Sequence, residues 1–443
     1  VDVVRINTAH QSVEAAAGLI ENVRSVSERI ALMVDTKGPE IRTNDQSPDI
    51  LVERGQRIRI KGAVGQPSTP ECIAVNYDGF VKVMQPGRKI MIDDGDIELL
   101  VLECFDQYLV CEVRNAGVIK ARKSVNLPGT PIDLPSLNEK DREFIDFAIH
   151  NDIDFIAHSF VRNKEDVLAI QQLLDAAGSP VKIIAKIENQ QGLDNIDEIL
   201  DHVYGIMVAR GDLAIEVPAE QIPVIQASLV KKCIRRKKAV IIATQMLHSM
   251  IHNPRPTRAE VSDIANAVFS GADAIMLSGE TAFGEYPVEA VQIMTRTVRE
   301  AEKGKIFQID TKVMPHDNQV SVFLSKTAVR SLQRLNTRAI ITDTDTGKTA
   351  RYLAAFRGRV PIYAQCYDNR VVRELGLIYG VFADYMDVTI SKKEFTRNTL
   401  NRLLEQGEVN KDDLIAILAG NFGKKAGPSY VEVSTVNNML QNG

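Results

Sequence analysis

The sequence lacks several features that mark common classes of protein. No apolar run approaches the roughly 18 residues of a membrane span, and a formal net charge of −5 is too small to favour a nucleic-acid partner. The five cysteines form no C-x-x-C pair, which favours reduced thiols in a cytoplasmic protein. There is no G-x-S-x-G motif and no G-x-G-x-x-G after a strand, which weakens hydrolase and dinucleotide-binding interpretations.

Length and composition predict a large globular protein. The 443 residues are 44% hydrophobic and 25% charged, close to the average for soluble domains, and the length suggests about three domains. The chain opens on a strand pattern at Val1 to Asn7 without an initiator Met, so we expect that processing or truncation has removed something upstream.

Alternating strand and helix patterns predict a parallel α/β sheet. Apolar strands separated by amphipathic stretches are typical of repeated βα units; they start near residues 3, 30, 155, 181, 205, 239 and 274. Seven strands are one short of a closed (β/α)8 TIM barrel, so the fold predicted is such a barrel lacking its first βα unit, which should lie upstream of Val1.

Two changes in the predicted secondary-structure pattern divide the chain into domains. Residues 44–123 contain short strands with Asp/Gly turns, which indicate an inserted small β-barrel or sandwich. Residues 1–43 and 124–311 then form the barrel, and residues 312–443 form a C-terminal α/β domain after a candidate linker over 303–320.

Two capping-box patterns predict helix starts within the barrel. Ser136 with Glu139 should open a helix through Ile149, and Thr257 with Glu260 should open one through Val268.

The predicted carboxyl ends of the barrel strands are polar, and this is where barrel enzymes place their reactive groups. Lys186 and Glu188 lie two residues apart at one strand end, so alternation points both side chains the same way. Glu188 and Asp212, from neighbouring strands, could share one Mg²⁺, which accepts one or two protein carboxylates. A structural ion-pair network of Lys186, Glu188 and Asp212 is the alternative that the spacing leaves open.

In the last domain a loop follows a strand and opens a helix. Its G-K-T run lacks the first glycine of a P-loop, because position 342 is Thr. Hydroxyls, backbone N–H groups and one Lys at a helix start suit a phosphate, and a merely capped helix is the alternative; the candidate residues are Thr344, Thr346, Gly347, Lys348 and Thr349.

At the predicted carboxyl ends of the barrel strands the sequence closely resembles the pyruvate kinases. The matching motifs run in one order through nearly the whole chain: residues 5–10 (RINTAH), 35–43 (DTKGPEIRT), 125–129 (VNLPG), 186–189 (KIEN), 207–213 (MVARGDL), 243–247 (ATQML), 254–260 (PRPTRAE) and 276–281 (MLSGET). The family's barrel, inserted β domain and C-terminal α/β domain match the organisation predicted above.

The resemblance implies phosphoryl transfer from phosphoenolpyruvate to ADP, giving pyruvate and ATP in the last step of glycolysis. It implies that Lys186 stabilises the phosphoryl group in flight, and that Glu188 and Asp212 hold Mg²⁺ or Mn²⁺. The residues implied to contact phosphoenolpyruvate are Arg5, Lys186, Gly211, Asp212 and Thr244, with Thr244 on the side where the enolate is protonated. Ser278 and Glu280 would belong to the proton-relay region.

The resemblance also implies a nucleotide site, a K⁺ site, a homotetramer and a sugar-phosphate effector. The nucleotide would meet His10, Arg42, Lys123 and Asn7, and K⁺ would meet Asn7, Asp35 and Thr36. Glu40 is the residue type of potassium-dependent members, whereas Ala9 replaces the family's usual Ser ligand. The effector phosphate would bind the loop from Thr344 to Thr349, although Asp345 would repel a dianion.

Two other classes of protein remain as alternatives. Other barrel enzymes that handle phosphoenolpyruvate or oxaloacetate-like acids also place Glu and Asp on Mg²⁺, but without the inserted β domain. A non-catalytic, assembly-only polypeptide is the second, because a barrel without its first unit has an open edge. If the natural chain starts at Val1, we expect weak or no activity.

Overall fold

The computed structural model describes residues 1–46, 49–304, 318–388, 391–420 and 427–442. The chain begins with β1 (Val3–Asn7), α1 (Val13–Val26) and β2 (Ala31–Asp35). The two strands pair in parallel, with Asn7 opposite Asp35 at their carboxyl ends. Every residue of β2 is buried, as in parallel sheets that are covered on both faces.

A β-rich insertion follows this first unit. Its elements are β3 (Ile50–Val52), β4 (Arg57–Gly62), β5 (Cys72–Val75), α2 (Phe80–Val83), β6 (Lys89–Ile92), β7 (Ile97–Cys104), β8 (Leu109–Val113), β9 (Gly117–Ile119) and β10 (Val125–Asn126). Six strands form one sheet in the order β10-β6-β7-β8-β4-β5, and β3 pairs with β9. Alternate residues of β7 enter a separate apolar core, which gives the insertion its own hydrophobic centre.

The βα rhythm then resumes. The elements are α3 (Glu139–His150), β11 (Phe155–His158), α4 (Lys164–Ala176), β12 (Lys182–Ile187), α5 (Gln190–Asp194), α6 (Ile196–His202), β13 (Gly205–Ala209), α7 (Arg210–Glu216), α8 (Ile222–Arg236), β14 (Ala239–Ala243), α9 (Arg258–Ser270), β15 (Ala274–Ile275), α10 (Gly279–Ala282) and α11 (Pro287–Gly304). Among the described residues, the parallel sheet has seven strands, as predicted, in the order β1-β2-β11-β12-β13-β14-β15. Within the described ranges, no strand joins β15 to β1.

One of the two predicted helix caps is wrong. Thr257 and Glu260 do form a capping box at the start of α9. The box of α3 is formed by Asn138 and Asp141, not by Ser136 and Glu139. The buried Asp141 carboxylate also accepts the N–H of Lys37 at 2.9 Å, so a tertiary contact with the loop after β2 favours this register.

The described part of the C-terminal domain contains a five-stranded sheet with helices. Its elements are α12 (Gln319–Leu335), β16 (Ala339–Thr344), α13 (Lys348–Ala355), β17 (Ile362–Cys366), α14 (Asn369–Leu375), β18 (Val381–Tyr385), α15 (Lys392–Glu405), β19 (Leu414–Gly420), β20 (Pro428–Thr435) and α16 (Val436–Asn442). The strand order is β18-β17-β16-β19-β20, with β20 antiparallel at the edge. The predicted boundary at residue 312, and most of the linker predicted around it, lie outside the described residues.

Buried ion pairs join the barrel to this domain. Arg357 donates to both oxygens of Asp273, at 2.8 and 2.9 Å, and both side chains are almost fully buried. Arg373 likewise donates to Asp154 at 2.8 Å. Asp154 accepts the N–H of Leu32 and Asp273 accepts that of Val240, so each carboxylate also fixes the amino end of a barrel strand. The carboxyl ends, at the opposite edge, carry the polar residues.

Candidate active site

The site is built on the carboxyl ends of neighbouring barrel strands. Lys186 lies near the end of β12, and Glu188 follows that strand directly. Asp35 ends β2, with Asn7 beside it on β1. Because the strands are parallel, their carboxyl ends meet at one edge of the sheet, and the apolar strands bring these polar residues to one mouth.

Lys186 is the centre of a buried ionic cluster. Its ammonium lies 3.2 Å from Asp35 Oδ1 and 3.0 Å from Glu188 Oε1. Arg5 donates to the other oxygen of Asp35. Burial alone would lower the pKa of Lys186, but Asp35 and Glu188 outweigh it and hold that pKa above its ordinary value. Lys186 therefore remains a cation at neutral pH, suited to stabilise a transferred anionic group.

The same balance fixes the charge of Asp35. Burial opposes ionisation of this carboxyl, yet Lys186 and Arg5 hold its pKa below the ordinary value. Asp35 Oδ1 also accepts a hydrogen bond from Ser159 Oγ at 3.3 Å.

Ser159 and Phe160, which directly follow β11, are site residues that the sequence analysis missed. Ser159 Oγ accepts from Lys186 Nζ at 2.7 Å, and the N–H of Phe160 donates to Glu188 Oε2 at 2.6 Å. The signal in the sequence is a hydroxyl directly after the predicted strand Phe155–His158, in the same position as the polar residues at the ends of the other barrel strands.

Asp212 lies in an environment that disfavours the charged form of its carboxyl group. Burial, and after it the neighbouring Glu188 carboxylate, raise the pKa of Asp212 to about 7. A divalent ion would relieve the repulsion between these two carboxylates, and Mg²⁺ commonly takes only one or two protein carboxylates plus substrate oxygens. In the described part of the chain, no group of three or more His, Cys, Asp or Glu side chains is arranged to hold a metal. The pair of carboxylates, Glu188 and Asp212, fits Mg²⁺ or Mn²⁺ with substrate oxygens as further ligands.

A cleft of about 230 Å³ opens beside the two carboxylates. Glu188 and Asp212 line it from the barrel, while Asp94 and Asn126 line it from the insertion and its return to the barrel. The insertion therefore forms one wall of the space into which Glu188 and Asp212 face.

Gly211 and Thr244 come together on the next two strand ends. The N–H of Gly211 donates to Thr244 Oγ1 at 2.9 Å. Thr244 has a left-handed φ of 68°, and its carbonyl accepts from Arg210 Nη2 at 2.6 Å. Arg210 is itself paired with Asp263 at 2.7 Å, so the backbone turn that presents the Thr244 hydroxyl is held in place.

Glu280 joins two loops of the barrel mouth. Its buried carboxylate accepts the N–H of Leu247 at 3.0 Å and that of Ser278 at 2.8 Å. These contacts give Glu280 a clear part in connecting the segments after β14 and β15. The proton-relay role implied for Ser278 and Glu280 stays a prediction.

The remaining predicted cation-site and nucleotide-site residues lie at the ends of β1 and β2 and on the segments that join the barrel to the insertion. Asn7 Oδ1 accepts the N–H of Ala9 at 3.2 Å, and the Thr36 hydroxyl accepts the N–H of Ser159 at 3.0 Å. Arg42 pairs with Glu40 at 2.7 Å and Lys123 with Asp93 at 2.9 Å, both on segments that link barrel and insertion. The side chain of His10 lies outside the described residues.

The predicted effector loop belongs to a different sheet, between β16 and α13. Gly347 takes a left-handed φ of 72° and Thr344 is buried. The carbonyl of Thr346 accepts from Arg351 Nη1 at 3.2 Å, and Lys348 lies 5.8 Å from the centre of the Tyr352 ring. The prediction that this loop follows a strand and opens a helix is confirmed, whereas phosphate binding there stays a prediction.

No helix within the described ranges is long and apolar enough to cross a membrane.

Two family models match the chain in order. The model described as "Pyruvate kinase, barrel domain" matches residues 1–291, and "Pyruvate kinase, alpha/beta domain" matches residues 323–433. The chain belongs to the pyruvate kinase family. As a member of this family, it has the function of a pyruvate kinase, a phosphotransferase.

Individual relatives are similar to this chain over all or nearly all of its length. The chain is 46% identical to a pyruvate kinase of Borreliella burgdorferi, covering 100% of this chain and 93% of the relative. It is 41% identical to one of Geobacillus stearothermophilus, covering 100% and 77%. The crystal structure of a pyruvate kinase from Cryptosporidium parvum superposes with a TM-score of 0.92 at 36% identity, covering 98% of this chain and 90% of the other.

Proposed function

We propose that this pyruvate kinase transfers a phosphoryl group from phosphoenolpyruvate to ADP, giving pyruvate and ATP in the last, cytoplasmic step of glycolysis. The observation that carries the proposal is the Lys186 ammonium, held between Asp35 and Glu188 with Asp212 beside them. Phosphoryl transfer is mainly a matter of positioning and of stabilising charge on the transferred group. A buried cation beside two metal-ligating carboxylates suits that task.

The acidic and basic residues of the site would have different roles. Glu188 and Asp212 would hold Mg²⁺ or Mn²⁺, which when bound neutralises phosphoryl oxygens. Arg5 and Lys186 would bind the phosphate of phosphoenolpyruvate, and the N–H groups near Gly211 would meet its carboxylate. The Thr244 hydroxyl, fixed by Gly211 and donating to the Ala243 carbonyl at 2.7 Å, would face the enolate carbon that accepts a proton.

A monovalent site beside this cluster would take K⁺. Asn7, Asp35 and Thr36 supply the oxygen atoms that such a cation prefers. Ala9 offers no side-chain oxygen, so a backbone oxygen or water would complete the shell.

The nucleotide would bind on the insertion side of the cleft, with Arg42 and Lys123 facing its phosphates. Arg42 and Lys123 are each paired with a carboxylate and would exchange that partner for phosphate. We extend the proposal to a homotetramer and to a sugar-phosphate effector at the Thr344 to Thr349 loop.

The test of the core mechanism is Lys186→Met, assayed by ADP-dependent pyruvate formation. We expect turnover to fall by about 10³-fold or more, while binding of Mn²⁺ and phosphoenolpyruvate persists. Lys182→Met is the matched control, because Lys182 lies on the same strand but contacts Glu374 of the C-terminal domain at 3.7 Å. Unchanged turnover in Lys186→Met would refute the role of Lys186.

A further inference from the structure

Ser159 connects three parts of the candidate site. It is 2% exposed and lies just past the end of β11. A hydroxyl can accept two hydrogen bonds and donate one. Ser159 Oγ accepts from Lys186 Nζ at 2.7 Å, and its proton faces the carbonyl of Thr36 at 2.7 Å, with Asp35 Oδ1 at 3.3 Å as a second acceptor.

The backbone around Ser159 is fixed from both sides. Phe160 has a left-handed φ of 55°, which is strained for a bulky side chain, and its N–H donates to Glu188 Oε2. Gly38 packs so closely that a Cβ added there would lie 2.8 Å from Ser159 Cβ. A strained backbone persists where the surrounding contacts determine it, so the hydroxyl has little freedom to move.

The Lys186 ammonium has three protons, and within the described ranges it has three acceptors. These are Asp35 Oδ1 at 3.2 Å, Glu188 Oε1 at 3.0 Å and Ser159 Oγ at 2.7 Å. Ser159 is the only uncharged one of the three, and the shortest contact. Without it one ammonium proton would lose its acceptor, and a flexible four-carbon side chain would pivot toward the carboxylates.

We propose that Ser159 is a positioning residue that aims Lys186 at the phosphoryl group and couples it to the K⁺ ligands Asp35 and Thr36. This inference rests on the function proposed above. The Ser159 hydroxyl accepts a hydrogen bond from Lys186 and donates one to the Thr36 carbonyl. A change in the backbone at Thr36 is therefore transmitted to Lys186 through a single oxygen atom.

The test compares Ser159→Ala with Ser179→Ala. Ser179 is the matched control because its hydroxyl is also inaccessible to solvent but has no hydrogen-bond partner among the described residues. In Ser159→Ala we expect kcat to fall by about 10- to 100-fold, as for a misplaced catalytic group, with KM for phosphoenolpyruvate within about threefold of the parent. The control should match the parent.

A second readout does not depend on activity. Potassium is titrated against tetramethylammonium at constant ionic strength, and its affinity is obtained from the rise in melting temperature. We expect the affinity of Ser159→Ala to fall by about fivefold or more, since Thr36 and Asp35 lose a shared partner. If this variant does not fold, Ser159→Cys keeps the side chain's size with a weakly accepting sulfur and should change kcat and K⁺ affinity in the same directions.

The outcomes separate this inference from the proposed function. A folded variant with parental kcat, or with reduced kcat but unchanged K⁺ affinity, would overturn the coupling by Ser159. A parent chain that forms no pyruvate from phosphoenolpyruvate and ADP would instead overturn the proposed function. An active parent, an impaired Lys186→Met variant and a parental Ser159→Ala variant would refute Ser159 alone.

Discussion

Replacing Arg357 by Met should destabilise the junction between barrel and C-terminal domain. The guanidinium donates to Asp273 at 2.8 and 2.9 Å, and the side chains are only 2% and 3% exposed. Removing one partner of a buried pair costs about 3–5 kcal/mol, because the other charge stays buried without compensation. Two features favour the lower end of this range. Asp273 keeps the N–H groups of Val240 and Tyr379, both at 3.1 Å, and the buried Arg357 Nε has no hydrogen-bond partner within the described part of the chain.

A loss of about 3 kcal/mol in unfolding free energy corresponds to a fall of about 6–12 °C in the melting temperature of a domain of about 150–250 residues. Differential scanning calorimetry of the first unfolding transition measures it. Arg122→Met is the control, since Arg122 pairs with Asp45 where both side chains are exposed, at 77% and 69%, and such pairs contribute little. A fall in Arg357→Met no larger than that in the control would refute the reasoning.

Three further predictions concern single side chains. Ala9→Ser should lower the K⁺ concentration needed for half-maximal turnover by restoring a ligand oxygen; an unchanged K⁺ profile would contradict this. Burial raises the pKa of Glu216 from its ordinary value of 4.5 to about 7 in the folded protein. The folded state therefore holds this proton more tightly than the unfolded state, and this contribution to stability is present at low pH and is lost as the pH rises through 7. Between pH 5 and 8 the unfolding free energy of Glu216→Gln should therefore decline less than that of the parent chain, with a difference of at most about 3 kcal/mol. Equal declines of the two proteins in denaturant titrations would refute the assignment. Fructose 1,6-bisphosphate should release heat on binding the parent chain and less on binding Lys348→Ala; no heat from the parent would remove the effector proposal.

Much of the fold could be predicted because parallel strands buried on both faces appear as short, continuous apolar runs. The seven barrel strands follow from that pattern, and so do the polar residues at their ends. Strands β18 and β20 do not show this apolar pattern clearly, because both lie at the edges of the C-terminal sheet, where fewer of their residues are buried. The cap of α3 was misplaced because the contact between Asp141 and Lys37 joins residues about a hundred positions apart, and local spacing carries no information on it.

The sequence by itself determined the order of the domains, the family and the position of Lys186 and Glu188 on one side of a strand, since alternation and motif spacing are local properties. Tertiary structure alone decided the electrostatics of the site. Only the packed barrel brings Asp35 and Ser159 from other strands against Lys186, and only burial beside Glu188 raises the pKa of Asp212 to about 7. The physical reason is that charge and hydrogen-bond energies depend on distance and exclusion of water, which the fold sets between residues that are far apart in the chain.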